Sequence, residues 1–226
     1  DLKGHLTRQP SVTKPELGKL KAMPVLTRRT EFPGQLWNVP HERNPFFTGR
    51  DGIIQTLHDD LRRDRVGALT QVIAGLGGIG KTQTAVEYAY RFRREYGAVF
   101  WVKAETETEL TTGFLEIARL LGLPQKDAKD ATEVAAAVKR WLGTNSGWLV
   151  IFDNADRPEL LKSFRPPDPR GHILLTSRAQ DFQVLGIAKP SDLPVMSPNE
   201  ALDFLLKRTG RENEADVAQR DAALKL

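Results

Sequence analysis

The stretch Gly75-Leu76-Gly77-Gly78-Ile79-Gly80-Lys81-Thr82 constrains this chain more than any other. It fits the pattern G-x-x-x-x-G-K-[ST], follows the apolar run Val66 to Ala74 and precedes an amphipathic segment, so it reads as a loop from a buried strand into a helix. Glycines let such a loop curl until successive backbone N–H groups point inward at an anion. The helix start adds unpaired N–H donors and the positive end of a dipole. In this setting Lys81 is expected to reach the β- and γ-phosphates of a nucleotide, and the Thr82 hydroxyl to ligate Mg²⁺. Gly75, Gly77, Gly78, Ile79, Gly80 and Gln83 complete the expected contacts to the nucleotide.

The text around the loop alternates between strand and helix signals. Buried strands are expected at Val66 to Ala74, Ala98 to Val102, Trp148 to Phe152 and His172 to Thr176, with a short fifth near Asp192 to Met196. Helices are expected at about 51–63, 81–94, 107–121 and 131–142. Short apolar strands separated by amphipathic helices call for a five-stranded parallel sheet sandwiched by helices. Beyond it, Ser197-Pro198-Asn199-Glu200 is a capping box with proline at the first helical position. The helix behind it, Ala201 to about Arg208, stops at Gly210, and another amphipathic segment follows at Glu212 to Leu224. These two helices read as the start of a small helical subdomain. The expected division is a flexible arm over 1–36, a nucleotide-binding domain over 37–196 and the opening of the helical subdomain over 197–226. With Asp1 as its first residue, the chain is expected to be a fragment of something longer.

A phosphate loop of this kind needs a second carboxylate for its metal. Asp153 closes the strand Trp148 to Phe152, at the carboxyl edge where α/β sheets bind ligands, and is expected to hold Mg²⁺ together with Thr82. Hydrolysis also requires a group that orients or deprotonates water. The next residue, Asn154, cannot act as a base, and Asp156 is expected to cap the helix beginning at Pro158, so slow turnover is expected. Arg178 ends the strand His172 to Thr176, and a guanidinium there is expected to face the γ-phosphate and report its presence. His5, His41, His58 and His172 are scattered without metal-ligand spacing.

Composition narrows the partners. The formal charge is +4, yet the first fifty residues hold nine Lys or Arg against four acids. A basic arm can touch nucleic acid, but aromatic residues are not interleaved with its charges, and a solvated linker is the better reading. The chain has no cysteine, which removes disulfides and thiolate metal sites and points to the cytoplasm. No apolar run approaches the length of a membrane span, and no membrane partner is expected.

Five segments occur in order: Phe47-Thr48-Gly49-Arg50, the Gly75–Thr82 loop, Phe100-Trp101-Val102, Leu149-Val150-Ile151-Phe152-Asp153-Asn154 and Leu174-Leu175-Thr176-Ser177-Arg178. Together they resemble the NB-ARC proteins of the STAND class of signalling P-loop ATPases, over about Asn38 to Arg208. Relatives include plant disease-resistance receptors of innate immunity, the apoptotic protease-activating factor, and bacterial and fungal proteins with repeat sensors. The resemblance implies that Thr48 and Arg50 lie against adenine and ribose, that Asp153 is the Walker B acid, and that Arg178 is the sensor arginine. Lys81, Asp153 and Arg178 would carry a weak ATPase activity. It implies further that the Arg178 strand lies between the strands carrying the glycine loop and Asp153. Asn154 departs from the second acid common in plant members, and the chain ends before the Gly-Leu-Pro stretch of the family's helical subdomain and before the winged-helix histidine that locks ADP in the family. The implied function is a nucleotide-dependent switch with ATP or ADP as ligand and Mg²⁺ as cofactor. Self-association on activation, an N-terminal effector and a C-terminal repeat sensor are its implied partners, and nucleic acid is not expected. The alternatives are a conventional AAA+-like ATPase acting on nucleic acid, and an interaction module with a degenerate loop.

Overall fold

A computed structural model describes residues 34–63, 70–187 and 190–210. The arm before residue 34, the first residues of the Val66 to Ala74 run, and the segment Glu212 to Leu224 lie outside the described residues.

The strands are β1 (Leu36–Trp37), β2 (Thr70–Ala74), β3 (Ala98–Lys103), β4 (Trp148–Asp153), β5 (His172–Ser177) and β6 (Ser191–Asp192). The helices are α1 (Asp51–Arg63), α2 (Lys81–Arg91), α3 (Glu107–Leu120), α4 (Ala131–Thr144), α5 (Pro158–Phe164) and α6 (Pro198–Thr209). All strand pairs are parallel, in the order β1-β3-β4-β5-β2-β6. Among the described residues the sheet therefore has six strands where five were expected, because Leu36–Trp37 pairs with Ala98–Val99. Two residues give no readable period, so this edge strand is invisible until its neighbour is placed. Asn38 prolongs the pairing with its side chain, which accepts from Trp101 N–H and donates to the Trp101 carbonyl.

Period-two alternation along the strands divides the core in two. Ala98, Phe100, Val102, Trp148, Val150 and Phe152 face α3, α4 and α5, joining Phe114, Val138 and Leu161. Val99, Trp101, Leu149 and Ile151 face the other way, toward α1 and α2, with Ile54, Leu57, Leu61, Val86 and Tyr88. Every residue of β4 is buried, as a central strand covered on both faces must be. The helices α3 and α4 begin on side-chain caps from Thr106 and Asp130, which satisfy otherwise unpaired N–H groups. The helix α2 ends at Arg91, short of the expected Arg94, and the chain passes into a 3₁₀ turn at Arg93–Glu95. There the Phe92 ring stacks on His58 of α1 at 3.7 Å between centroids.

The capping box forms as expected: Ser197 Oγ accepts from Glu200 N–H, and Glu200 accepts from Ser197 N–H. The helix it opens buries none of its residues fully. Among the described residues no helix is long and apolar enough to cross a membrane.

Candidate functional site

The carboxyl ends of β2, β4 and β5 converge on one corner, with β5 in the middle. From β2 the chain passes through Gly75–Gly80 into α2. Gly80 occupies the N-cap position of that helix at φ 97°, a left-handed conformation that side chains strain to adopt. A Cβ placed on Gly77, Gly78 or Gly80 would meet nothing within 4 Å, so the loop lines open space on its inner side. Gly75 stands apart, packed within 3.2 Å of the Leu193 carbonyl by the same measure.

Lys81 is 7% exposed, and its Nζ donates to the carbonyls of Gly75 (2.9 Å) and Leu76 (2.8 Å). Burial pulls its pKa below the ordinary lysine value; Asp156 and Asp153 act against that pull, and Arg178 adds to it. The ammonium is thus parked on the loop's own backbone, within a field set by two carboxylates and a guanidinium.

Thr82 Oγ1 donates to Asp153 Oδ1 at 2.9 Å. The same oxygen accepts from Thr176 Oγ1 of β5, and Thr176 Oγ1 in turn accepts from Asn154 N–H. Asp153 is 7% exposed and Thr176 fully buried. Asn154 sits at φ 60°, in the left-handed region where asparagine and aspartate are enriched. Two hard oxygen donors, one charged, therefore lie side by side at the start of α2, a donor set suited to a Mg²⁺ ion that keeps several waters.

Arg178 follows β5 and lines a cavity of about 410 Å³ together with Gly77, Gly78, Lys81, Thr82 and Gln83. Glu105 and Asn154 border the same cavity. Sequence reading gave Asn154 no place in the pocket and passed over Glu105. The available signal for Glu105 was its position just past the end of β3, the strand adjacent to β4. An adjoining cavity of about 330 Å³ is bounded by Phe47, Thr48, Arg50, Ile79 and Phe204, and shares Gly78, Gly80 and Gln83 with the first. A polar cleft thus opens into a more apolar one across the glycine loop.

Thr48 and Arg50 also tie the loop to α6. Arg50 is 5% exposed, and its Nη2 donates to the Ile79 carbonyl at 2.8 Å. Its Nη1 is buried without a partner among the described residues. Burial pulls the guanidinium's pKa down while the charge of Glu200 on α6 raises it. Lys207 Nζ of α6 donates to Thr48 Oγ1 at 3.2 Å. Gly49 lies at φ 75°, and a Cβ on it would come within 2.9 Å of the Glu200 side chain.

One expectation fails. Asp156 does not cap α5: that helix begins at Pro158 with Arg157 in the cap position and no side-chain cap. The Asp156 carboxylate turns to the end of β5 instead, where it accepts from Arg178 N–H (2.6 Å), Arg178 Nε (2.6 Å) and Ser177 Oγ (3.1 Å). Burial pushes its pKa up, but the hydrogen bonds from Arg178 and Ser177 and the charge of the guanidinium together hold it below the ordinary carboxylate range. A charge-assisted pair outcompetes a single cap bond to a neutral N–H.

Four likenesses, one to a family and three to single proteins, accompany this geometry. A family model described as "NB-ARC domain" matches residues 50–215. The chain is 33% identical over 190 residues to "Regulatory protein AfsR" of Streptomyces griseus, covering 80% of this chain and 19% of that protein. It is 34% identical over 142 residues to a "Nucleotide-binding leucine-rich repeat (NLR)-like protein" of Hyaloscypha variabilis, covering 60% of this chain and 14% of that one. The chain thus spans less than a fifth of the length of either relative. Among solved structures, the Aeropyrum pernix ORC2 protein in ADPNP-ADP complexes superposes with a TM-score of 0.52 at 20% identity, over 76% of this chain and 55% of that one. That last likeness is one of fold.

Proposed function

We propose, from the premise that this chain belongs to the NB-ARC family, that it is the ATP- and ADP-binding module of a signalling ATPase, exchanging one nucleotide for the other to switch a larger protein. The observation that carries the reading is the meeting of Lys81, the Thr82–Asp153 pair and Arg178 at one cleft, with an apolar cavity next to it. The loop's N–H groups and the α2 N-terminus are suited to phosphate oxygens. Lys81 exchanges its two backbone carbonyls for the β- and γ-phosphates. Thr82 and Asp153 would hold Mg²⁺, which when bound neutralises charge on the phosphates. The base would enter the cavity between Phe47, Ile79 and Phe204, against Thr48 and Arg50.

Arg178 supplies the difference between the two ligands, because a γ-phosphate gives its guanidinium an anion that ADP lacks. A switch works only when two nucleotides favour two conformations unequally. The closed form is held by ADP; the open form, with ATP, self-associates and brings effector segments together under the control of a repeat sensor. The relatives' names, a regulatory protein and an NLR-like protein, support this direction. Turnover is slow, because Asn154 stands where a base would be needed.

Calorimetry on the folded chain tests the reading. Mg-ADP and Mg-ATP should bind the wild type, and Lys81→Ala should remove that binding. Absence of binding by any adenine or guanine nucleotide, or indifference to Lys81→Ala, would sink it. Brisk hydrolysis stimulated by DNA would favour a nucleic-acid-remodelling ATPase instead.

A further inference from the structure

The Asp156–Arg178 pair has a geometry that a simple surface ion pair does not need. Asp156 grips Arg178 twice, at the backbone N–H and at the side-chain Nε, both at 2.6 Å. The carboxylate is itself fixed by Ser177 Oγ, and Ser177 is anchored by donating to the Ala155 carbonyl. Asp156 is 19% exposed on its side chain, while Arg178 is 65% exposed and lines the cleft beside Lys81 and Thr82. A guanidinium has five donors in a rigid planar fork. Only Nε is engaged here; among the described residues the two terminal nitrogens of Arg178 meet no acceptor.

We infer that Asp156 is a positioning residue for nucleotide discrimination: it fixes Arg178 by Nε and main chain so that the terminal nitrogens stay available to the third phosphate. The inference rests on the reading of this cleft as a nucleotide site and deepens it. An arginine left to wander at a strand end loses several rotors' freedom when it engages a ligand. Anchored at Nε, it has lost most of that freedom beforehand, so its contact with a γ-phosphate is stronger. ADP gives the terminal nitrogens no such partner, so the effect is confined to the triphosphate.

An opposing effect of the same residue makes the direction testable. Asp156 carries negative charge near a polyphosphate, and removing it by charge alone would tighten both nucleotides together. Positioning predicts the reverse for ATP.

The test is Asp156→Asn, which keeps an oxygen able to accept from Arg178 N–H and surrenders the ionic grip on Nε. The affinities of Mg-ATP and Mg-ADP are measured by calorimetry in wild type, Asp156→Asn, Arg178→Ala and the double variant, with melting curves to establish folding. Asp156→Asn should lower the ratio of ATP to ADP affinity by about tenfold, the scale of one charge-assisted hydrogen bond. In the Arg178→Ala background the same change should leave the ratio where it is. Asp156→Glu keeps the charge and should recover part of the ratio. An unchanged or increased ratio in Asp156→Asn, or an equal fall in both backgrounds, overturns the inference. If Asp156→Asn does not fold, Asp156→Glu carries the same test: a ratio that differs from wild type only when Arg178 is present sustains positioning, and a ratio indifferent to the longer carboxylate overturns it. The outcomes separate the two levels. Wild type that binds no nucleotide removes the site and this inference with it. Wild type that binds both, with Arg178→Ala altering the ratio and Asp156→Asn not, removes the inference alone.

Discussion

Thr82 and Asp153 stand 71 positions apart in the chain, and their side chains meet at 2.9 Å, Thr82 Oγ1 donating to Asp153 Oδ1. One residue lies in the first turn of α2 and the other closes β4. Their hydrogen bond links the phosphate loop to the strand that carries the acid.

If these two oxygens hold a metal, as proposed, nucleotide binding should depend on Mg²⁺. Asp153→Ala and Thr82→Val should each weaken Mg-ATP by about tenfold or more, the loss of one interaction to a charged group. In EDTA the variants and wild type should bind alike. Calorimetry with and without Mg²⁺ reads this, and equal losses under both conditions would remove the metal role.

Lys81 should be a binding residue that the empty fold could do without. Its ammonium is buried against two backbone carbonyls, and burial lowers its pKa. A lysine whose folded value lies below the unfolded one is disfavoured while protonated, so stability rises as pH climbs through the folded value toward the ordinary lysine range. Lys81→Met should therefore leave the ligand-free melting temperature unchanged or higher while removing nucleotide binding. A clear drop in melting temperature without ligand would contradict this.

His172 ties acid stability to the amino end of β5, opposite the cleft. Its Nδ1 lies 2.7 Å from the Tyr96 hydroxyl, which is bonded onward to Tyr88 and from there to His58. Burial, with Arg62 and His58 nearby, pushes His172 down to about 4. Because the folded value is depressed, the stabilisation is present above about 6.5 and is lost as pH falls toward 4. Urea titrations between pH 7 and pH 4 should lose up to about 3 kcal/mol through this group. His172→Gln should flatten that part of the profile; an unaltered slope would mean the acid sensitivity lies elsewhere.

Gly113 allows α3 to lie close on the sheet, since a Cβ there would fall 2.7 Å from Val102 Cγ1. Gly113→Ala should destabilise by about 1–3 kcal/mol, as overpacked cores do. Val102→Ala in the same chain should return part of the loss, because the two side chains compete for one space. Denaturant midpoints of the two single variants and the pair decide it, and simple additivity would argue against the contact.

Most of the architecture was legible because its signals are local and periodic. The apolar runs at Ala98 and Trp148 and the capping box at Ser197 each identify an element from neighbouring residues alone. The loop at Gly75–Thr82 is a contiguous pattern and could be read directly. What escaped reading depends on partners far along the chain. Leu36–Trp37 is a strand only because Ala98–Val99 offers it an edge. Asp156 looks like a helix cap from its own neighbours, Arg157 and Pro158, and becomes a partner of Arg178 only when β5 is laid beside β4. Glu105 has no motif at all; it borders the cleft because β3 ends where β4 does.

Asn154 holds a left-handed backbone corner, a shape that aspartate adopts about as readily as asparagine. Replacing its amide by an acid would leave the main chain in place, and a single-base change in the codon suffices. Under the function proposed above, the same scaffold would then serve either as a clasp that holds a nucleotide for long periods or as a timer that discharges it. On that proposal, the lifetime of the bound state would be set at position 154, separately from the residues that form it.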